Sequence, residues 1–131
     1  MSLPRLAADL AAGCSLFSEI IELLEDEWAP EAPPVTVSMS ELGRALIERA
    51  GTGFSLEDIA EIFRRVEHIM ECGAEAERDA LATGFLEAIA AAIDRSPQSR
   101  WVLEYAGPGA REYLAAWDQF CGVDRDAGSR V

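Results

Sequence analysis

Leu3, Leu6, Leu10, Cys14, Phe17, Ile21, Leu24 and Trp28 follow one another at steps of three and four residues. A strand would alternate at steps of two, whereas this spacing gathers apolar side chains on one side of an α-helix. The same spacing returns twice. Leu56, Ile59, Ile62, Phe63, Val66, Ile69 and Met70 form one further stripe, and Leu81, Phe85, Ala88, Ile89 and Ile93 form another. Val35-Thr36-Val37 is a β-favouring triplet, but no other segment offers it a partner strand. The chain is therefore expected to be all-α, with about six helices in a single irregular antiparallel bundle or a short stack of helical hairpins. No internal repeat supports a solenoid.

Punctuation in the sequence sets the expected boundaries. Pro4 suits the first turn of a helix reaching Trp28, weakened at Gly13. Pro30, Pro33 and Pro34 make residues 29–37 an ordered linker. Ser38-Met39-Ser40-Glu41 matches a capping box, and Gly51 fits a left-handed stop. Ser55 opens the next helix with Glu57 and Asp58 in its first turn, and Gly73 ends it. A helix from about Ala74 to Asp94 carries Gly84, Ala88 and Ala92 in one row, where a neighbouring helix can approach closely. Ser96-Pro97 breaks the chain, and a short helix holds Trp101, Val102 and Tyr105. Gly107-Pro108-Gly109 separates it from a last helix with Tyr113, Leu114, Trp117 and Phe120. Residues 1–123 read as one domain. Residues 124–131 contain no core pattern and are expected to fray.

The charge narrows the partners. Twenty-four acids oppose 11 bases, all arginine, for a formal net charge of −13. Nucleic acid and anionic membrane would repel such a surface, and a basic protein would be attracted. No run approaches the ~20 apolar residues of a membrane span, and the amino terminus lacks a signal-peptide layout. Cys14, Cys72 and Cys121 form no disulfide framework and read as small buried hydrophobes in a reducing compartment. The expected location is the cytoplasm.

The stretch HIMECGAEAERD, residues 68–79, holds the only histidine. His68 and Cys72 share a helix face, with Glu71 or Glu75 as a conceivable third ligand, but no second histidine or nearby cysteine completes a metal set. The reading favoured here is a corner. Glu67, His68 and Glu71 decorate the end of one helix, and Glu75 and Glu77 occupy the first turn of the next. Phosphate loops, calcium loops and serine elbows are absent, and Gly107-Pro108-Gly109 is too proline-bound to cradle phosphate. No catalytic, cofactor-binding or metal residue is assigned, and no enzymatic activity is expected.

The strongest charge feature lies early. Glu19, Glu22, Glu25, Asp26, Glu27 and Glu31 cluster in a stretch, Ala7 to Ser40, that has no base. Glu19, Glu22 and Asp26 share one helical face, where like charges repel by a few tenths of a kcal/mol each. Two readings stand. The face is either a docking site for a basic protein, with charge that speeds encounter, or a solvated exterior. Near the other end, Trp101, Tyr105, Tyr113 and Trp117 form an aromatic cluster. At helical spacing the tryptophans read first as core, and the tyrosine hydroxyls are free to reach the surface.

Two segments carry a resemblance: ALATGFLEAIA at 80–90 and YAGPGAREYLAAWDQFCG at 105–122. They resemble a family of small, acidic, helical bacterial proteins known mainly as a domain of unknown function, with a GFLE helix and an LGP-x2-R-x-Y-x3-WD-x-F-x-G ending. Ala106 stands where that ending has leucine, while Arg111, Tyr113, Trp117, Asp118, Phe120 and Gly122 match. The resemblance covers about residues 67–123 and implies structural roles: Gly-Pro starts the last helix, Trp117 and Phe120 pack it, and Arg111 pairs with Asp118. Proteins of this kind resemble immunity proteins of bacterial toxin systems. The resemblance thus implies a protein that neutralises a basic toxin domain by electrostatic and steric blockade, without chemistry of its own. The alternative is an adaptor or regulatory helical module whose aromatic surface holds a partner or a second copy.

Overall fold

Interruptions in helical sequence decide this architecture as much as the helical runs do. The computed structural model describes residues 5–121, and side chains as far as Trp117. The expected tail 124–131, and the side chains of Asp118, Phe120 and Cys121, lie outside the described residues. Helices α1 (Leu6–Ala11), α2 (Ser15–Trp28), α3 (Val35–Glu48) and α4 (Leu56–Cys72) are followed by α5 (Glu75–Ala80). A π-helical segment (Leu81–Leu86) continues α5 into α6 (Glu87–Arg95). A 3-10 helix (Pro97–Tyr105) and α7 (Pro108–Cys121) complete the chain. Among the described residues there is no strand, only an isolated bridge between Ala50 and Phe54. The fold is an all-α bundle.

Two boundaries differ from expectation. The first helix is two helices, because Cys14 adopts an extended backbone between them. Gly13 costs helix stability, and the room it leaves is occupied. A Cβ there would stand 2.5 Å from Nε of Arg65. The capping box at Ser38 does not form either. Pro34 stands at the N-cap and the helix already runs from Val35, so Ser38 is buried inside it and Glu41 pairs with Arg44 instead. The linker shortens accordingly to residues 29–34. By contrast, Ser55 and Asp58 form a reciprocal capping box at 3.1 and 3.0 Å, and Gly51 adopts φ of +79°.

The π segment explains the close approach expected of the small-residue row. Gly84 meets Met39, where an added Cβ would stand 2.6 Å from Met39 Cβ. Across the crossing, a Cβ on Gly43 would stand 2.5 Å from the carbonyl oxygen of Phe85 and 3.2 Å from Ala88 Cβ. The Ser40 hydroxyl donates to the Gly84 carbonyl at 3.4 Å, inside the segment where the α-helical ladder is displaced. Phe85 is thereby pressed into the core, edge-to-face with Phe17, which meets Phe54 in the same way. One contiguous cluster of buried side chains extends from Leu6 to Leu114.

Helix α4 also holds the ends of its neighbours. Arg65 donates to the Asp9 carbonyl at 3.2 Å, near the C-terminal end of α1, through the space beside Gly13. Glu67 accepts hydrogen bonds from the amides of Gly109 and Ala110 in the first turn of α7. Each charge has the sign that its helix end favours. The Gly-Pro-Gly turn therefore does cradle an anion, but an internal one. Arg111 is committed as well: it donates at 2.8 Å to the carbonyls of Ala106 and Glu104, at the end of the 3-10 helix. Its guanidinium secures that helix end, and the expected partner Asp118 lies beyond the described side chains.

Candidate protein-interaction surface

Helix α2 lies at the edge of the bundle. Of its 14 residues only Phe17 and Leu24 are buried. Phe17 anchors the helix to the aromatic core, and Leu24 fixes the next turn but one on the same side. Ile21, expected in that inner stripe, is half-buried, and Trp28 is 38% exposed. The helix therefore rests on a narrow line and leaves most of its circumference to solvent.

That circumference carries the acids. Glu19, Glu22, Glu25, Asp26 and Glu27 are all exposed, as is Glu31 beyond the end of the helix. Among the described residues none of these six carboxylates has an ion-pair partner. The described arginine–carboxylate pairs lie elsewhere, joining Arg44 to Glu41 and both Arg64 and Arg65 to Glu61. The negative field of α2 is thus left to counter-ions or to a partner. Leu23 interrupts it. This side chain is 68% exposed, with Glu19 one turn before it and Asp26 one turn after. Between α2 and α3 lies a groove of about 300 Å³, whose apolar lining comes from Ile20, Leu23, Leu24 and Ala45.

A family model for a domain of unknown function, DUF7674, matches residues 10–122. The chain belongs to the DUF7674 family. No curated protein and no solved structure matches it. The family match is wider than the segments legible by eye, because it takes in the amino-terminal half and all of α2.

Elsewhere in this DUF7674 domain the residues of the expected corner divide between surface and core. His68 and Cys72 are both exposed, so the cysteine is not the buried hydrophobe expected of it; Cys14 is buried. His68 borders a cavity of about 310 Å³ with Asp9, Glu61, Arg64, Arg65 and Ile69. Among the described residues no three His, Cys, Asp or Glu side chains converge as metal ligands, and no helix is long and apolar enough to cross a membrane. Glu77 is not a surface acid. Its carboxylate is buried, with one oxygen accepting the Ala74 amide at 2.8 Å.

The aromatic cluster is not a free patch. Trp101, Tyr105, Tyr113 and Trp117 are half-buried and packed against the core. Trp101 and Tyr105 meet edge-to-face at 6.3 Å, and the Tyr113 hydroxyl donates to Glu87 at 2.7 Å. Among the described residues the exposed large apolar side chains are instead Leu23, Trp28 and Leu56. Leu23 falls outside the inner stripe of α2, so periodicity alone signals that it faces outward. The groove beside it depends on where α3 docks, which no local pattern encodes.

Proposed function

We propose that this DUF7674 domain is a binding protein of the immunity type, which neutralises a basic toxin domain by docking it on α2. One observation carries this reading: six exposed carboxylates on and just after a peripheral helix, none with an ion-pair partner among the described residues. A helix selected only for solubility can relieve i to i+3 and i to i+4 repulsion by interspersing bases, and this one does not. An acidic face accelerates encounter with a basic surface and rejects acidic competitors. Against a nuclease, the carboxylates of Glu22 and Asp26 would stand where phosphates otherwise bind. The half-buried state of Trp101 and Tyr113 gives the competing aromatic-surface reading no comparable support.

The test begins with capture of a partner from the native lysate and elution in rising salt. The purified partner is then titrated with this protein while its own activity is followed. Stoichiometric loss of that activity is expected. Reversing Glu22 and Asp26 to arginine should slow association roughly tenfold at low salt and much less at high salt. Association rates that ignore the reversal would remove α2 as the docking face. A partner that stays fully active in the complex would remove the immunity role.

A further inference from the structure

Helix α2 carries seven large apolar side chains and buries two of them. Leu16, Ile20 and Leu23 follow at steps of four and three along the flank that faces α3. Leu16 lies against Gly53, where an added Cβ would stand 2.9 Å from its Cδ2. Ile20 is half-buried and Leu23 is 68% exposed. The flank thus changes from covered to open along its length, and at Leu23 it enters the groove that Ala45 of α3 closes on the other side.

The two edges of this groove differ in charge. On the α2 edge, Glu27 lines the groove and Glu19 and Asp26 stand one turn before and after Leu23, all three without an ion-pair partner among the described residues. On the α3 edge, Arg44 is held by Glu41, and Glu48 and Arg49 alternate in sign. An occupant therefore meets an apolar floor, one strongly negative edge and one nearly balanced edge. A second copy of this chain fits poorly, because it would set one acidic helix against another. An anionic lipid surface is repelled for the same reason.

We infer that the α2–α3 groove receives an amphipathic helix of the partner protein, its apolar stripe seated on Ile20 and Leu23 and its Lys/Arg edge lying over Glu19, Asp26 and Glu27. This rests on the reading of α2 as the docking face and adds to it what the face recognises. Charge alone would favour any basic surface. The groove selects one whose bases border an apolar stripe at helical spacing. Leu23 is then an anchor and the carboxylates steer.

Two peptides of about 18 residues and identical Leu/Lys composition separate these contributions. One places its leucines along a single helical face, and the other distributes them around the helix. Each is titrated into the isotopically labelled full chain at low salt, with amide shifts and binding constants as readouts. The amphipathic peptide is expected to bind at least tenfold more tightly and to shift amides around Ile20–Leu24 and Arg44–Glu48. Leu23→Ala should remove about tenfold of its affinity while leaving the circular dichroism spectrum and melting temperature unchanged. Equal binding of the two peptides, sensitive to Glu22→Arg/Asp26→Arg but not to Leu23→Ala, would overturn the groove and leave the acidic docking face standing. Preferential binding that maps to another surface would also overturn the groove. Binding of neither peptide would overturn both.

Discussion

Replacing Gly43 by alanine lowers the stability of this domain by about 1–3 kcal/mol, although alanine is the better helix former by about 1 kcal/mol. The sign is what makes the result informative. In an unobstructed helix the exchange stabilises, through propensity and through a less flexible unfolded chain. Here the new methyl would stand 2.5 Å from the Phe85 carbonyl oxygen, a backbone atom that cannot swing aside. Separating α3 from the π segment would loosen the contacts that seat Phe85 against Phe17. Valine at position 43 should cost more, because it adds two methyl groups and loses rotamer freedom in a helix. Ala91→Gly, at an exposed site in α6, measures the propensity contribution in the same protein and should cost about 1 kcal/mol. Urea denaturation followed by circular dichroism gives all three values. A stabilised Gly43→Ala variant would mean that the two helices are not in contact at this crossing.

The crossing also shows how far the sequence could be read. Gly84, Ala88 and Ala92 announce a close neighbour by their size alone, and Met39 and Gly43 supply it at the first two. The π winding is not announced, because LATGFL has the composition of ordinary helix, and its contacts with α3 are distant in sequence. Local signals succeed where the interaction is local. Ser55 caps Asp58 three residues away, and Gly51 turns its own backbone. At Ser38 a good local signal loses to a neighbouring one: Pro34 provides an entry four residues earlier, and burial of Ser38 and Met39 holds it. The acidic residues of α2 were legible as a group, since exposure of charge follows from desolvation. Their relation to the groove was not, because it depends on the packing of two helices separated by a proline-rich turn.

Glu67 is the clearest case of a function hidden by sequence distance, and its removal should be costly. In the sequence it is one more acid on the last turns of α4. In the fold its carboxylate accepts from the amides of Gly109 and Ala110, about 40 residues away. Gly107, just before α7, offers no side chain for capping, and Pro108 has no amide to satisfy. The carboxylate supplies the cap from another helix, with the charge that an N-terminus prefers. The glycines make this possible: a Cβ at Gly107 would stand 2.6 Å from Glu67 Cδ, and one at Gly109 2.7 Å from Oε1. Glu67→Ala is expected to cost about 2 kcal/mol, in the range for hydrogen bonds to a charged group. Glu67→Gln should lose less, because an amide oxygen still accepts but brings no charge. Gly107→Ala should cost a similar amount by displacing the carboxylate. The double variant should lose clearly less than the sum, since both changes break one interaction. Hydrogen exchange at Gly109 and Ala110 should accelerate in each single variant, while Glu71→Ala, an exposed acid on the same helix, changes neither exchange nor stability. Additive losses, or unchanged exchange at those two amides, would mean that α7 is held by packing alone and that Glu67 is the surface acid its local sequence suggests.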